Sequence, residues 1–478
     1  MLTKLDDRHQ KWLISDDQRE METLISEGLG EWANLDQTFL ELVAMRLEFS
    51  VSFDHDLTAV GSEANKAVSD LKALFGAQGT IFNRAADSQL TCLLANLYLE
   101  YKRNPRRLVG LSQHHGKAIP EQYNPSGVTT KTLVRLKDAL LANEYVFFFK
   151  GHHARGKTSR QSKSPKIVAD PSLIAFLENE CGWTLSTICY HKKAETIRMG
   201  SKKDTNKKRT LISYTDTPDV EAQRKVLEQY NTFMAEQDVQ IPTPFGFMRD
   251  VFMTRRTFTD ESWQLGGRLF GGGYQQLSKE ERKRITINGE PVVELDIKSC
   301  HATMAFAHVG IDWYAQSDQD LYSRLEDEGW PRDVVKKAFN IMMNAKSIKA
   351  AIGSLNYEQA RSGFLMDSGM VPFKKWATDL VRSIQYAYPE LEDVFYAELG
   401  NHFMNKEGNI CMAIAEWGVE EQLPVLTIHD SFICPTSMAH KLGEFIGVCF
   451  GKTVSARCLQ HGEPQLRVHS SHLELCST

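Results

Sequence analysis

The chain of 478 residues has nine cysteines and no Cys-x-x-Cys pair among them. An odd, scattered set without that spacing argues against a disulfide frame and a structural zinc site, and fits a reducing cytoplasm. No apolar run is long enough to span a bilayer, and the charged start, Met1 to Arg8, lacks the apolar segment of a secretory signal. A cytoplasmic protein with no membrane partner is therefore expected. No internal repeat and no low-complexity tail is present, which excludes solenoids and long disordered arms. The glycines of Gly266 to Gly273 are too loosely spaced for a dinucleotide or P-loop fingerprint. They read as a flexible loop, or as a place where a nucleic-acid strand could approach the backbone closely.

What is present is ordinary globular composition, 42% hydrophobic and 24% charged, in a length that suits two to four domains. The net charge of −5 argues against a chain that coats nucleic acid. Its distribution is uneven. Lys150, Arg155, Lys157, Arg160, Lys163 and Lys166 form a run free of acids. Lys192, Lys193, Arg198, Lys202, Lys203, Lys207, Lys208 and Arg209 form a second cluster diluted only by Glu195 and Asp204. Each run reads either as a phosphate-tracking patch or as a solvated loop.

The expected organisation is α+β. Residues 1–148 read as a helical N-terminal domain, with helical spacing around Met21–Ile25 and Phe39–Met45. Residues 149–168 read as a basic linker. Residues 169–240 read as a small, winged-helix-like nucleic-acid-binding module. It would consist of a helix starting at Asp170-Pro171-Ser172, a basic-tipped hairpin of 194–199 and 209–214, and a helix from Asp219 to Met234. Residues 241–478 read as one catalytic domain, opened by Ile241-Pro242-Thr243-Pro244.

Three segments carry the chemistry. The β-prone run Val292 to Ile297 ends at Asp296, and Ser299 to Ala307 then reads as a helix carrying His301. That puts Asp296 at a strand-to-helix switch, although a lone acid there is also an ordinary cap or turn residue. Next, Arg332, Lys336, Asn340 and Asn344 recur every four residues behind Pro331, one stripe of an amphipathic helix. Two cations and two amides suit a triphosphate and a base; a solvated surface face reads the same way. Last, Leu426 to Ile433 reads as a hairpin with His429-Asp430 at its tip. Two aspartates on separate strand ends are a common way to hold two metal ions for phosphoryl transfer.

The ordered set of Asp296 strand, Arg332-x-x-x-Lys336 helix and His429-Asp430 hairpin resembles the catalytic core of family A DNA polymerases and the phage-type single-subunit RNA polymerases. The resemblance covers about residues 245–450. It implies a right-hand polymerase palm and fingers in the C-terminal half. It implies two Mg²⁺ ions, with Mn²⁺ as the alternative, held by Asp296, Asp430 and the carbonyl of Ile297. Arg332 and Lys336 would bind the triphosphate, with Asn340, Asn344 and His301 near it, and Lys336 would serve catalysis. His429 would contact the primer end, and outside the resemblance the basic cluster at Lys202, Lys203, Lys207 and Lys208 is expected, with Arg268, to grip primer and template, with DNA expected as template. His301 stands where the DNA enzymes carry a Glu steric gate and the RNA enzymes a small residue, and Asn340 and Asn344 stand near positions that are aromatic in the family. The implied activity is nucleotide addition to a 3′-hydroxyl, favouring deoxynucleoside triphosphates. An RNA polymerase or primase-like enzyme is the alternative, and a non-catalytic DNA-binding replication or regulatory protein the second.

Overall fold

A computed structural model describes residues 50–105, 107–111, 119–149, 165–204, 208–313, 320–455 and 473–475. The helices expected around Met21 and Phe39, the basic run up to residue 164, and Lys207 lie outside the described residues. The chain divides into two compact units: residues 1–195 with 241–252, and residues 196–240 with 253–478.

The first unit contains β1 (Ser50–Ser52), β2 (Leu57–Ala59), α1 (Ser62–Ala77), α2 (Ala86–Arg103), β3 (Leu108–Gly110), α3 (Thr130–Ala142), β4 (Val146–Phe149), β5 (Lys166–Ala169), α4 (Pro171–Ala175) and β6 (Ile188–Tyr190). The region 50–148 is therefore mixed, not simply helical as expected. Its strands are runs of three or four residues, too short for a period to show in sequence. They build a four-stranded sheet ordered β1-β3-β5-β4. Helix α2 forms the centre, with Leu90, Leu93, Leu94, Leu97, Tyr98 and Leu99 all buried. A helix covered on nearly every side must also pair its buried polar groups, as Arg103 does by donating to Glu100 at 2.8 Å. Lys166, expected in an open basic run, is instead a buried residue of β5. Asp170 caps α4 as its sequence predicts, its carboxylate accepting the Ser172 N–H at 2.9 Å.

The second unit opens with β7 (Ile197–Met199) and α5 (Pro218–Glu236). The strands β8 (Val239–Thr243) and β9 (Gly246–Arg249) carry the chain through residues 241–252, assigned to the first unit. Then follow β10 (Arg255–Thr259), β11 (Ser262–Phe270), β12 (Thr286–Ile287), β13 (Glu290–Ile297) and α6 (Cys300–His308). After these come α7 (Arg332–Asn344), α8 (Ile348–Ser362), α9 (Trp376–Ala387), α10 (Gly400–Glu420), β14 (Leu426–Ile428), β15 (Ser431–Pro435) and α11 (Ala439–Ser455). One sheet runs β11-β10-β7 and another β14-β15-β13-β12-β8. One core cluster joins β13, α6, α7, α9 and α10, through residues such as Leu295, Phe306, Phe339, Leu380 and Phe403.

The expectations for residues 169–270 hold only in part. The hairpin of 194–199 with 209–214 closes near its tip, through an antiparallel bridge between Gly200 and Leu211 and through the Ile212 and Ser201 N–H groups, which donate to the carbonyls of Met199 and Thr210 at 2.9 and 2.8 Å, while β7 also pairs in parallel with β10. Helix α4 and strand β7 also belong to different units, so residues 169–240 are not one winged-helix-like body. Nor is Gly266 to Phe270 a flexible loop: it is the second half of β11. Gly266 and Gly267 take φ of 73° and 83° where the ladder to β10 shifts register. Positive φ at a bulge favours glycine, so these residues bend a strand. Among the described residues no helix is long and apolar enough to cross a membrane.

Candidate active site

Strand β13 pairs antiparallel with β15, with Asp296 opposite Ser431. One step on, the Ile297 N–H donates to the carbonyl of Asp430 at 2.9 Å. Paired strands lie about 5 Å apart, so the backbones of Asp296 and Asp430, 134 positions apart in sequence (430 − 296), come within one residue of direct opposition. The hairpin β14–β15 closes through His429 and Asp430, and His429 takes a φ of 56°. Positive φ at the first central residue of a two-residue loop matches the twist of the strands it joins. Glu294, two residues before Asp296, supports the tip: it accepts the Ser431 hydroxyl at 2.8 Å and is gripped by Arg282 at 2.9 and 2.8 Å.

Helix α10 brings in a residue that sequence reasoning missed. Glu407 is 1% exposed, and its Oε1 and Oε2 accept Arg268 Nε and Nη2 at 2.8 and 2.7 Å. Its Oε2 also meets His301 Nε2 at 2.8 Å. Arg268 and His301, both expected at the site, are thus joined through one carboxylate. The available signal was a single acid inside the buried stripe Phe403, Glu407, Ile410, Cys411 and Ile414, where an uncompensated charge is costly.

The site's protonation follows from this packing. Burial pushes the Glu407 carboxyl up, but the His301 hydrogen bond and the Arg268 pair outweigh it, leaving it below the usual range. Asp430 goes the other way: burial and the charge of Glu407 raise it. His429 is lowered, first by burial and then by Arg268. Its Nδ1 is buried and has no hydrogen-bond partner among the described residues. The buried Cys300 thiol is raised well above its ordinary value by burial and then by the charges of Asp430, Glu407, Cys411 and Asp296. One residue at the start of α6 thus feels all three carboxylates.

The expected metal ligands are Asp296, Asp430 and the Ile297 carbonyl, all hard oxygen donors of the kind Mg²⁺ takes. Burial, and then the charge of Glu407, disfavour the ionised form of Asp430, and a divalent ion beside it would favour that form, so these residues fit. Among the described residues no group of three or more His, Cys, Asp or Glu side chains forms a metal cage.

Helix α7 forms where the stripe was read, with Pro331 as its N-cap and not its first helical residue. Arg332, Asn340 and Asn344 lie half-buried or exposed along it, and Lys336 is exposed. Val335, Phe339, Met342 and Met343 are buried on the other side. Arg332 is already engaged: its Nε and Nη2 donate to Asp320 at 3.0 and 2.8 Å. Asn344 Nδ2 bonds back to the Asn340 carbonyl at 2.8 Å. Nothing in the sequence marked Asp320. Lys202, Lys203 and Lys208 are exposed on the loop that leaves β7, in the same sheet as Arg268.

Compared with models of known protein families and with curated proteins, the chain matches none.

Proposed function

We propose that the chain is a template-dependent nucleotidyltransferase that adds deoxynucleotides to the 3′-hydroxyl of a primer. One observation carries this reading: Asp296 and Asp430 end up as neighbours at the end of paired strands. Carboxylates so placed suit a pair of divalent ions, held by Asp296, Asp430 and the carbonyl of Ile297. Bound there, Mg²⁺ would lower the pKa of the attacking hydroxyl and offset charge in the in-line transition state.

The rest is work for the chain's own residues. The 3′-hydroxyl gives up its proton to solvent, and its oxygen bonds to the α-phosphorus as the bond to pyrophosphate breaks. Lys336, exposed on α7, binds the triphosphate and protonates the leaving pyrophosphate. Arg332 takes the β- and γ-phosphates through its two-pronged guanidinium. His429, half-buried at the hairpin tip, contacts the primer end. His301, held by Glu407, supports a sugar-reading role, since a ring fixed in place excludes a 2′-hydroxyl better than a mobile one. Arg268, Lys202, Lys203 and Lys208 supply positive charge for the nucleic-acid backbone.

The test is extension of a primed DNA template by the purified chain with Mg²⁺, using dNTPs and NTPs in parallel, and RNA templates as a second arm. Extension lost in Asp430→Ala is expected. Normal extension by that variant would falsify the assignment.

A further inference from the structure

Arg332 is the first residue of α7, where the helix's free N–H groups and its dipole both favour an anion. The anion in place is internal. Asp320 meets the guanidinium with both carboxylate oxygens, at 3.0 and 2.8 Å, in the two-pronged geometry that guanidinium also offers to phosphate. The pair is open to exchange, its side chains being 36% and 21% exposed. Tyr322 lies below the guanidinium, its ring centre 5.5 Å away. Lys298, two residues past Asp296, contributes positive charge at Asp320. A phosphate chain entering here would meet the same cations that now hold a carboxylate.

We propose that Asp320 is an internal competitor for the triphosphate, occupying the Arg332 anion site until the substrate's phosphates displace it. This rests on reading α7 as the triphosphate-binding helix. Displacement gives the site a two-state character. In the resting state Asp320 neutralises Arg332 and the α7 end needs no bound anion. In the loaded state Arg332 serves phosphate and the carboxylate returns to water. The cost of breaking the pair is charged against affinity, so a nucleotide lacking its full phosphate chain should not open it. Asp320 also accepts the Tyr322 N–H at 2.9 Å, so release of its carboxylate would loosen the turn at 320–323.

Inorganic tripolyphosphate is the probe, titrated calorimetrically into the full chain. Asp320→Asn keeps an oxygen for the Tyr322 N–H and removes the charge. It should bind tripolyphosphate about fivefold tighter than the unaltered chain, and the gain should vanish when combined with Arg332→Gln. Amide exchange gives a second measurement on the unaltered chain: saturating tripolyphosphate should speed exchange at Tyr322. Equal affinity of Asp320→Asn and the unaltered chain, or unchanged exchange at Tyr322 on saturation, would overturn the proposal. Failure of primer extension together with both expected results would remove the polymerase reading and leave the displacement standing.

Discussion

Arg268 grips both oxygens of Glu407, at 2.8 and 2.7 Å, across 139 residues of sequence. The pair ties strand β11 to helix α10, and His301 adds α6 to the same carboxylate. Removing the acid leaves a guanidinium facing a dry helix. Glu407→Ala is expected to lower stability by about 3 kcal/mol, as buried pairs do when one partner is lost. Glu407→Gln should cost less, since it keeps an acceptor for Arg268. Denaturant unfolding of both variants checks the order; equal stability of Glu407→Ala and the unaltered chain would show that the network contributes nothing.

Asp430 and Glu407 give opposite pH signatures. Glu407 is held below its ordinary value, so its contribution is present above the unfolded carboxylate pKa and is lost as pH falls through the folded one. Asp430 is held above its ordinary value, so without metal its ionisation opposes folding at neutral pH, and acid relieves that cost as pH falls through the raised pKa. Asp430→Asn should therefore melt higher than the unaltered chain at pH 7 in a chelator. The gain should be on the order of 1 kcal/mol, or about 2–4 °C. Added Mg²⁺ should raise the melting point of the unaltered chain and leave Asp430→Asn nearly unmoved. Scanning calorimetry with and without Mg²⁺ reads both, and an Asp430→Asn that melts lower in chelator would contradict the argument.

Much of the second unit was legible in sequence, because its signals are local. The run before Asp296 became β13, the four-residue spacing from Arg332 became α7, and the His429-Asp430 tip became a two-residue hairpin. Non-local choices were not legible. The end of strand β7 met its local hairpin partner as read, but its parallel pairing with β10, far along the chain, left no local signal. Gly266-Gly267 read as a loop because two adjacent glycines disfavour a strand, whereas a bulge uses their positive φ. Asp320 and Glu407 could not be matched to Arg332, Arg268 or His301 by spacing, since each pair forms between separate elements.

Gly408 tests the α10–β11 contact by volume, without removing a charge. A Cβ built there would stand 2.0 Å from the carbonyl oxygen of Gly267, a backbone atom held within its strand. Gly408→Ala should therefore cost about 1–3 kcal/mol through overpacking. Gly451, in α11, has nothing within 4 Å of the same construction. Gly451→Ala should instead stabilise by about 0.5–1 kcal/mol, through lower chain entropy in the unfolded state. Opposite signs for the same substitution in two helices, measured by chemical unfolding, are the expected result; destabilisation at both positions would mean that α11 is packed more tightly than its open face at Gly451 indicates.

The sugar preference is the most direct test of what His301 does. Its Nε2 is bonded to Glu407 Oε2, and its ring lies 6.0 Å from that of Phe403, so it has a bonded side and a packed side. Such a ring cannot swing away from an incoming ribose without breaking a hydrogen bond to a buried carboxylate. His301→Ala removes the ring and leaves Glu407 with Arg268 alone. Under the polymerase reading, the ratio of kcat/KM for dNTP over NTP should fall at least about tenfold, the scale that one misplaced group sets in a shaped pocket. The loss should come mainly from better use of NTPs, not poorer use of dNTPs, because steric exclusion acts on the rejected substrate. If His301 instead donated to a ribose hydroxyl, the same variant would lose NTP activity and keep dNTP activity. The two outcomes move the ratio in opposite directions, so a single pair of kinetic curves on one primed template decides between exclusion and recognition.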